Sequence, residues 1–380
     1  MKIFKRMAVA ALAASMLLAA GCEYTDPDRM AIITGAAIDY GDGMYEVTIE
    51  SIKVQGSSMD EPIETETYTT KALSLDLAEA ELERLTGSAL YWGHAQALVI
   101  SEQAAAEALA PILDWVMRSG DLRLTVVMAV SREEDAKSIL GSDPSGSYTV
   151  ASAIAGATRN GGFAERSAGS STHRALEALL DTGSALLPAV RLAEQDEDRK
   201  FAVLDGGAVL VGSKLAGFLS EDEAQDILLL LGANDSRELI RDEMGSVGLK
   251  LEDINASAKG DTLEDGSALL NVSLKGGCIV EYYDAEREPL DEAGAKALTD
   301  AASAAMKERI IRAIEATRAF GADVADFGSQ FERDYGDSAK DAALKSALEV
   351  SVELEITDTG LISRSPTSKL YQRRSQDETH

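Results

Sequence analysis

Residues 30–54 read MAIITGAAIDYGDGMYEVTIESIKV, and this stretch decides the fold class of the amino-terminal half. Apolar residues dominate Met30 to Ile38, as in a buried strand, whereas Tyr45 to Val54 alternates apolar and polar residues, as in a half-buried strand. Between them, residues 39–43 supply the aspartates and glycines of a turn. Strand, turn and strand predict a β-hairpin.

Helical and strand patterns alternate after the hairpin. Leucines spaced along Leu73–Leu85 predict a helix, Ala95–Ile100 a strand, and Leu122–Val130 a further strand. Ser101 is the predicted N-cap of a helix that follows the strand at 95–100. Residues 141–170, rich in Gly, Ser and Ala, predict a long loop with a partial helix near 148–158. This alternation indicates layers of sheet and helix.

The remaining residues predict a hairpin, a capped helix, two strands, a long helix, a short helix and a strictly alternating strand. In order, these are Phe201–Val211 with Lys214–Leu219, Ser220–Leu231, Val247–Ile254, Ala268–Tyr282, Asp291–Phe320, Phe327–Tyr335 and Ala347–Ile356.

Length and charge breaks predict how the chain divides. A chain of 380 residues is too long for one ordinary core. We predict an α+β, mixed α/β protein of three small serial domains, each a sheet packed with helices. The charged run at 194–200 is the candidate first boundary. The predicted segments are a signal peptide (1–21), an N-terminal α/β domain (22–195), a middle domain (196–262), a C-terminal α/β domain with the long helix (263–365) and a disordered tail (366–380).

The amino terminus carries a secretion signal. Lys2, Lys5 and Arg6 precede an apolar run that is too short to span a bilayer of about 30 Å. The run ends in Leu-Ala-Ala-Gly-Cys22, which resembles the bacterial lipobox. We therefore expect lipid attachment at Cys22, with everything after it exported and outside the cytoplasmic membrane.

Composition excludes several classes of function. The formal charge is −29, from 65 acidic and 36 basic residues. A nucleic-acid partner is excluded because no basic face can neutralise phosphates. Polybasic attraction to a membrane is excluded for the same reason, so the membrane partner must be reached through the lipid.

Motifs for catalysis and cofactors are missing from the sequence. There is no nucleophile elbow, phosphate-binding loop or His-Glu-x-x-His. Three histidines are too scattered for a histidine-based metal site. Ser170, Ser171 and His173 are close in sequence without an orienting carboxylate. The carboxylate pairs Asp42 with Glu46 and Glu353 with Glu355 predict solvated faces. We therefore predict no enzyme, no metal and no cofactor.

Two residues have more than one interpretation. His94, in Trp92-Gly93-His94, is either a histidine held by the backbone at a turn or a ligand-contacting group. Cys278 lies in a predicted strand and is either a small core residue or a nucleophile, of which the first is commoner.

Several separated segments together resemble the Ger(x)C family of spore germination lipoproteins, the C subunits of nutrient germinant receptors. The resemblance spans roughly residues 22–365. The segments are Ala31–Asp39, Tyr45–Thr48, Leu90–Glu102, Leu113–Arg118 with Leu122–Leu124, Leu187–Val190, Gly206–Leu210, Lys214–Glu221, Leu229–Gly232, Ala319–Asp323 with Asp326–Gly328, and Val352–Ile356 with Thr359–Ile362. The residues after Cys22 depart from the family pattern, which usually places Trp-Asp there.

The resemblance implies a lipid-anchored receptor subunit without known catalysis on the outer face of the spore inner membrane. It also implies two partners, the A-type and B-type receptor subunits. The alternative is an extracytoplasmic solute-binding lipoprotein of a transporter, which two lobes around a ligand cleft would favour. An extracytoplasmic hydrolase is a third possibility.

Overall fold

The structure is a computed structural model, and its description covers part of the chain. The described residues are 30–52, 64–161, 163, 171–196, 199–233, 236–242, 245–262, 267–283 and 292–358. Within these ranges the strands form two sheets. The signal peptide, Cys22 and the tail at 366–380 lie outside them.

The first sheet has nine strands in the order β3-β2-β1-β5-β6-β7-β8-β9, with β4 beside β1. They are β1 Met30–Gly41, β2 Met44–Ile52, β3 Thr65–Ala72, β4 Ala89–Tyr91, β5 Ala97–Ile100, β6 Val127–Ser131, β7 Ser184–Asp196, β8 Arg199–Val211 and β9 Lys214–Leu219. The central strands β1, β5, β6 and β7 are parallel, and antiparallel hairpins extend the sheet at both sides.

Six helices cover both faces of this sheet. They are α1 Leu75–Thr86, α2 Glu102–Glu107, α3 Leu109–Arg118, α4 Lys137–Leu140, α5 Val150–Asn160 and α6 Thr172–Asp181. Successive residues of β5 point to opposite faces. Leu98 and Ile100 pack with α1, α2, α3 and α6, whereas Ala97 and Val99 pack with α4 and α5. Parallel strands covered on both faces are apolar throughout, as in β5.

The second sheet has four strands in the order β10-β11-β12-β13. They are β10 Ser236–Asp242, β11 Gly245–Thr262, β12 Ala268–Tyr283 and β13 Ala347–Asp358. The first three are antiparallel, and β13 is parallel to β12. The helices here are α7 Glu221–Leu230, α8 Glu292–Ala319 and α9 Gly328–Tyr335, followed by a 3₁₀ segment, Asp337–Leu344.

Helix α8 packs on the second sheet through a stripe of buried residues at helical spacing. The stripe consists of Leu298, Ala302, Met306, Ile310, Ala313 and Ile314. Residues three and four apart lie on one helix face, so the stripe is continuous along α8.

One of the buried hydrophobic clusters joins the two sheets. Leu186, Val209 and Leu219 of the first sheet belong to the same buried cluster as Leu249 and Met306 of the second region. We call the boundary between the two sheets and their helices the seam. A polar contact also crosses the seam, since the Asp323 amide donates to Ser184 Oγ at 3.1 Å. The seam is therefore packed as a protein interior.

Most predicted elements are present, and the fold class is confirmed as α+β with sheets packed against helices. The hairpin, the long helix and the final strand lie where their patterns placed them, although Val54 falls outside the described residues. Ser220 and Glu223 form the predicted capping box. The predicted strand at Leu122–Val130 begins only at Val127, because the Val126 amide bonds the Arg123 carbonyl in a turn.

The described residues of the charged run at 194–200 belong to strands β7 and β8, which pair with each other. Glu194 lies opposite Lys200, and the two form an ion pair of 2.8 Å. The second predicted boundary, between residues 262 and 263, likewise falls between two strands that pair with each other, β11 and β12. Residues 196–262 therefore contribute strands to both sheets. The division into three domains at these boundaries stays a prediction.

Candidate functional site

A pocket of about 300 Å³ opens at one edge of the first sheet, where edge means the side formed by the ends of the strands and not an outer strand. Strands β1, β5 and β6 are parallel, so their amino ends meet at this edge. The lining comes from the turn before β5, the turn before β6 and the carboxyl-terminal half of α5. Its polar side chains are His94, Gln96, Arg123, Thr125 and Arg159.

The turn before β5 is held by a buried tryptophan. Trp92 is 2% exposed, and its Nε1 donates to Glu79 Oε1 at 2.8 Å. Its ring meets that of Trp115 edge to face at 5.4 Å, a favoured aromatic geometry. A large anchored ring gives this turn a fixed position against α1 and α3.

Gly93 lets the turn bend under a tyrosine ring. A Cβ at this position would lie 2.5 Å from Tyr91 Oη, so any other residue would displace the ring. The same Tyr91 ring meets the imidazole of His94 at 5.7 Å, edge to face. His94 lies in a 3₁₀ turn, as the backbone interpretation predicted, but its side chain is exposed and lines the pocket.

The turns before β5 and β6 are joined by the sheet. The Gln96 amide donates to the Thr34 carbonyl at 2.7 Å, and the Gln96 carbonyl accepts from the Val127 amide at 3.0 Å. The Arg123 carbonyl accepts from the Val126 amide at 3.0 Å. Backbone bonds thus hold Arg123 and Thr125 beside His94 and Gln96.

Helix α5 forms the other wall and is fixed at its amino end by a buried carboxylate. Glu50 is 1% exposed, and it accepts hydrogen bonds from the Val150 amide at 2.8 Å and the Ala151 amide at 3.2 Å. The Thr34 hydroxyl donates to Glu50 Oε2 at 2.7 Å. A carboxylate at a helix amino end satisfies donors that have no partner within the helix. Glu50 therefore positions α5, and with it Arg159.

The pocket carries two cations that lack ion partners. No ion pair of Arg123 or Arg159 occurs among the described residues, whereas Arg84, Arg118 and Arg174 each pair with a carboxylate on their own helix. None of the described residues that line the pocket is acidic. The formal charge of the whole chain is −29, so this is a local cationic site on an acidic protein.

Of the three residues that lie close in sequence without forming a predicted catalytic triad, Ser171 and His173 fall within the described ranges. The Ser171 hydroxyl accepts from the Arg174 amide at 3.4 Å and so caps α6, while His173 is exposed on the first turn. Ser170 lies outside the described residues. Glu46 pairs with Lys71 and Lys137, and Glu353 with Lys275, so these carboxylates act in surface ion pairs. No group of three or more His, Cys, Asp or Glu in the described ranges could hold a metal ion.

Cys278 is a core residue. Its side chain is fully buried in β12, and it forms no disulfide within the described part of the chain. Burial, together with the smaller effect of the charge on Glu252, raises the pKa of the thiol to about 11. The reactive thiolate is therefore scarce near neutral pH.

The lipid-attachment residue predicted from sequence, Cys22, lies outside the described residues. The described chain starts at Met30, which pairs with Ala89 at the amino end of β1. Met30, the first described residue, therefore lies toward the same end of the strands as the pocket.

Comparison with known proteins identifies the family. The model described as the spore germination protein N-terminal domain matches residues 23–192, and the model described as spore germination B3/GerAC like, C-terminal, matches residues 205–360. This chain belongs to the Ger(x)C family of spore germination proteins. The resemblance seen in the sequence segments is confirmed.

Individual relatives agree with the family. The chain is 21% identical over 372 residues to the putative spore germination protein YfkR of Bacillus subtilis (strain 168), covering 94% of this chain and 95% of that protein. A solved crystal structure of the GerBC protein matches with a TM-score of 0.57 and 16% identity, over 85% of this chain and 97% of that one. The second likeness shows a shared fold.

Family membership gives the chain a role in spore germination. The Ger(x)C family acts in germinant receptor complexes and is not a known class of enzyme. Among the described residues, no helix combines the length and the apolar character that crossing a membrane requires.

Sequence reasoning singled out His94 but missed the arginines that the fold brings beside it. They come from a turn and a helix far along the chain. One signal was readable: α5 contains no acidic residue, so Arg159 has no carboxylate partner on its own helix.

Proposed function

We propose that this chain is a lipid-anchored C-type subunit of a spore germinant receptor. It acts in the assembly and signalling of nutrient-triggered germination, and it is not an enzyme. The observation that carries the proposal is the pair of family matches over residues 23–192 and 205–360. The pocket found among the described residues lies at one sheet edge and not between two lobes, so it does not support the alternative of a solute-binding lipoprotein.

The anchor is Cys22, modified with fatty acids such as palmitate after removal of residues 1–21. The lipobox-like sequence and the basic, apolar leader support this assignment. Acyl chains gain about 0.8 kcal/mol per buried methylene, so two or more hold a protein firmly. A lipid resolves the charge problem, since an acidic surface is repelled by anionic lipids.

The anchor also sets which side of the molecule lies near the bilayer. Cys22 and Met30 are eight positions apart in the sequence. An extended chain spans at most about 3.6 Å per residue, so the two residues lie at most about 29 Å from each other. The amino-terminal edge of the first sheet is therefore the membrane-proximal edge of the described structure. The outer face of the cell membrane, which becomes the spore inner membrane, is the proposed location.

The A-type and B-type receptor subunits are the proposed partners. A lipid that confines the chain to the bilayer raises its effective concentration beside membrane-embedded subunits, as any tether does. The bound subunit then stabilises the assembled receptor, which responds to nutrients by a shift between conformations.

Replacement of Cys22 by alanine tests this proposal. The variant is expected to lose fatty-acid labelling, to leave the detergent-rich phase in phase separation, and to slow nutrient-triggered germination. Cys278→Ala is the matched control, since it removes the other cysteine of the chain and leaves the lipobox intact. The anchoring proposal fails if Cys22→Ala stays in the membrane fraction to the same extent as the control.

A further inference from the structure

We propose that the pocket lined by His94, Arg123 and Arg159 is a binding site for a phosphate group. Its position beside the bilayer rests on the proposed lipid anchor at Cys22, whereas phosphate binding itself does not. Neither the family matches nor the relatives assign a ligand to this edge of the sheet.

Unpaired charge is the first argument. Arg123 and Arg159 both line one small pocket that has no carboxylate among its described lining residues, and neither forms an ion pair with any described residue. Like charges that share a site repel each other, and an anion between them reverses the sign of the interaction.

The donors are the second argument. Each guanidinium offers five N–H groups in a planar fork that suits phosphate oxygens, and such charge-assisted bonds are the stronger class. His94 adds a ring N–H, Gln96 an amide and Thr125 a hydroxyl. These lining residues belong to three segments of the chain, the turn before β5, the turn before β6 and α5. A tetrahedral group with oxygens on several sides matches this arrangement better than a flat carboxylate does.

The negative carboxyl end of the α5 dipole opposes the binding of an anion at this site, but its effect is smaller than the attraction by the two arginines. Arg159 lies in the last turn of α5, where the helix carries about half a negative charge. Two full positive charges outweigh it. The opposite end of α5 is already occupied by Glu50, so the amino end of the helix is not available to a ligand.

Size and position define the ligand class. A volume of about 300 Å³ is at the small end of ligand pockets and holds one phosphate group with a small organic substituent. The pocket is open, since His94, Arg123 and Arg159 are exposed. The phosphate group therefore comes either from a soluble phosphate ester or from a lipid headgroup at the proposed membrane-proximal edge.

Calorimetric titration of the full-length chain in detergent with inorganic phosphate tests the site. The Cys22→Ala background keeps the anchor out of the measurement. Binding is expected, and Arg159→Gln and Arg123→Gln should each weaken it about tenfold or more, the loss of a charge-assisted hydrogen bond. Arg118→Gln is the matched control, because it removes the same charge from an exposed helix outside the pocket.

Three further measurements keep the test decisive. Arg159→Lys retains the charge but not the fork, and an intermediate affinity is expected. Thermal unfolding of each variant should match the parent, since both arginines are exposed. Acetate should bind more weakly than phosphate, and tighter acetate binding would overturn the assignment to phosphate.

Vesicle sedimentation in the same background separates the two sources. Vesicles of phosphatidylcholine with and without phosphatidylglycerol are compared. Retention on phosphatidylglycerol that Arg159→Gln abolishes assigns the site to a lipid headgroup, and phosphate binding without such retention assigns it to a soluble ligand. The proposal is overturned if neither probe binds, or if Arg118→Gln weakens binding as much as the pocket variants do. Because the titration needs no anchor, failure here is distinct from failure of the Cys22 experiment.

Discussion

The two sheets meet water in different ways. Every residue of β5 and β6 in the first sheet is buried, since helices cover both faces. In β13 of the second sheet, alternate residues are exposed, among them Glu349, Glu353 and Glu355. A charged residue on β13 therefore lies in water. A charged residue within the first sheet must find its partners inside the protein.

Glu50 is a charged residue of the first sheet that has its partners inside the protein. It alternates with Tyr45, Val47 and Ile49 along β2, and its pattern alone predicts a solvated face. Helix α5 covers that face, and the carboxylate becomes the anchor of the helix. The same alternation thus has opposite consequences in the two sheets, depending on whether a second layer of helices is present. Four predictions test this contrast and the seam between the sheets.

The largest expected effect is at the seam. Asp226 on α7 is 2% exposed and accepts from Arg309 Nη2 on α8 at 2.7 Å and from Nε at 3.1 Å. Asp226→Ala leaves a half-buried guanidinium without this carboxylate and is expected to cost about 4 kcal/mol of unfolding free energy. Urea denaturation of the full-length chain measures it.

The matched control for the seam is Asp300→Ala. Asp300 pairs with Lys296 on the exposed face of α8, so its loss should cost less than about 0.5 kcal/mol. Equal losses for the two variants would show that the ion pair between α7 and α8 does not stabilise the seam.

The second expected effect separates the two sheets directly. Glu50→Ala leaves two backbone amides and the Thr34 hydroxyl without their acceptor, at a cost of about 3 kcal/mol. Glu353→Ala, the same change on an exposed strand, should cost less than about 0.5 kcal/mol. Denaturation measures both, and hydrogen exchange of α5 amides should accelerate only in Glu50→Ala. A costly Glu353→Ala would contradict the contrast between the sheets.

The third expected effect concerns close approach at the seam. A Cβ on Gly217 of β9 would lie 2.3 Å from Phe320 Cε1, so Gly217→Ala displaces a packed ring and should cost about 2 kcal/mol. Gly156 in α5 has open space, and Gly156→Ala should stabilise by about 0.5–1 kcal/mol. The opposite signs are checked by thermal unfolding. A neutral Gly217→Ala would mean that Phe320 repacks freely.

The smallest expected effect is a pH-dependent surface contribution of the first sheet. The hydrogen bond from Lys71, at 2.7 Å, together with Lys137 at 3.3 Å, lowers the pKa of Glu46. A carboxyl whose pKa is lower in the folded state contributes stability above its unfolded pKa and loses it as pH falls through its folded pKa. Wild type should exceed Glu46→Gln by about 0.5–1 kcal/mol at pH 7 and approach it in acid. A difference that does not shrink in acid denaturation series would refute the ion-pair origin.

The local sequence pattern was sufficient to predict those elements that depend only on residues close together in the chain. The hairpin at 30–52, the Ser220 capping box and the alternating β13 all depend on neighbours in sequence. Strand β7 was not predicted. Its proline, Pro188, argues against a central strand, but a register shift follows it, and the sheet tolerates it there. The candidate site was half visible, because the sequence indicated His94 and gave no reason to join it to Arg123 or Arg159.

The sequence by itself determined the fold class, the family and the predicted lipid site at Cys22, since each rests on short segments or their order. Tertiary structure alone decided that Glu50 is buried, that residues 196–262 serve two sheets, and that two unpaired arginines share a pocket with His94. The physical reason is the same in each case. Burial and charge environment depend on which distant segments pack together, and the local periodicity of a strand or helix does not encode its partner.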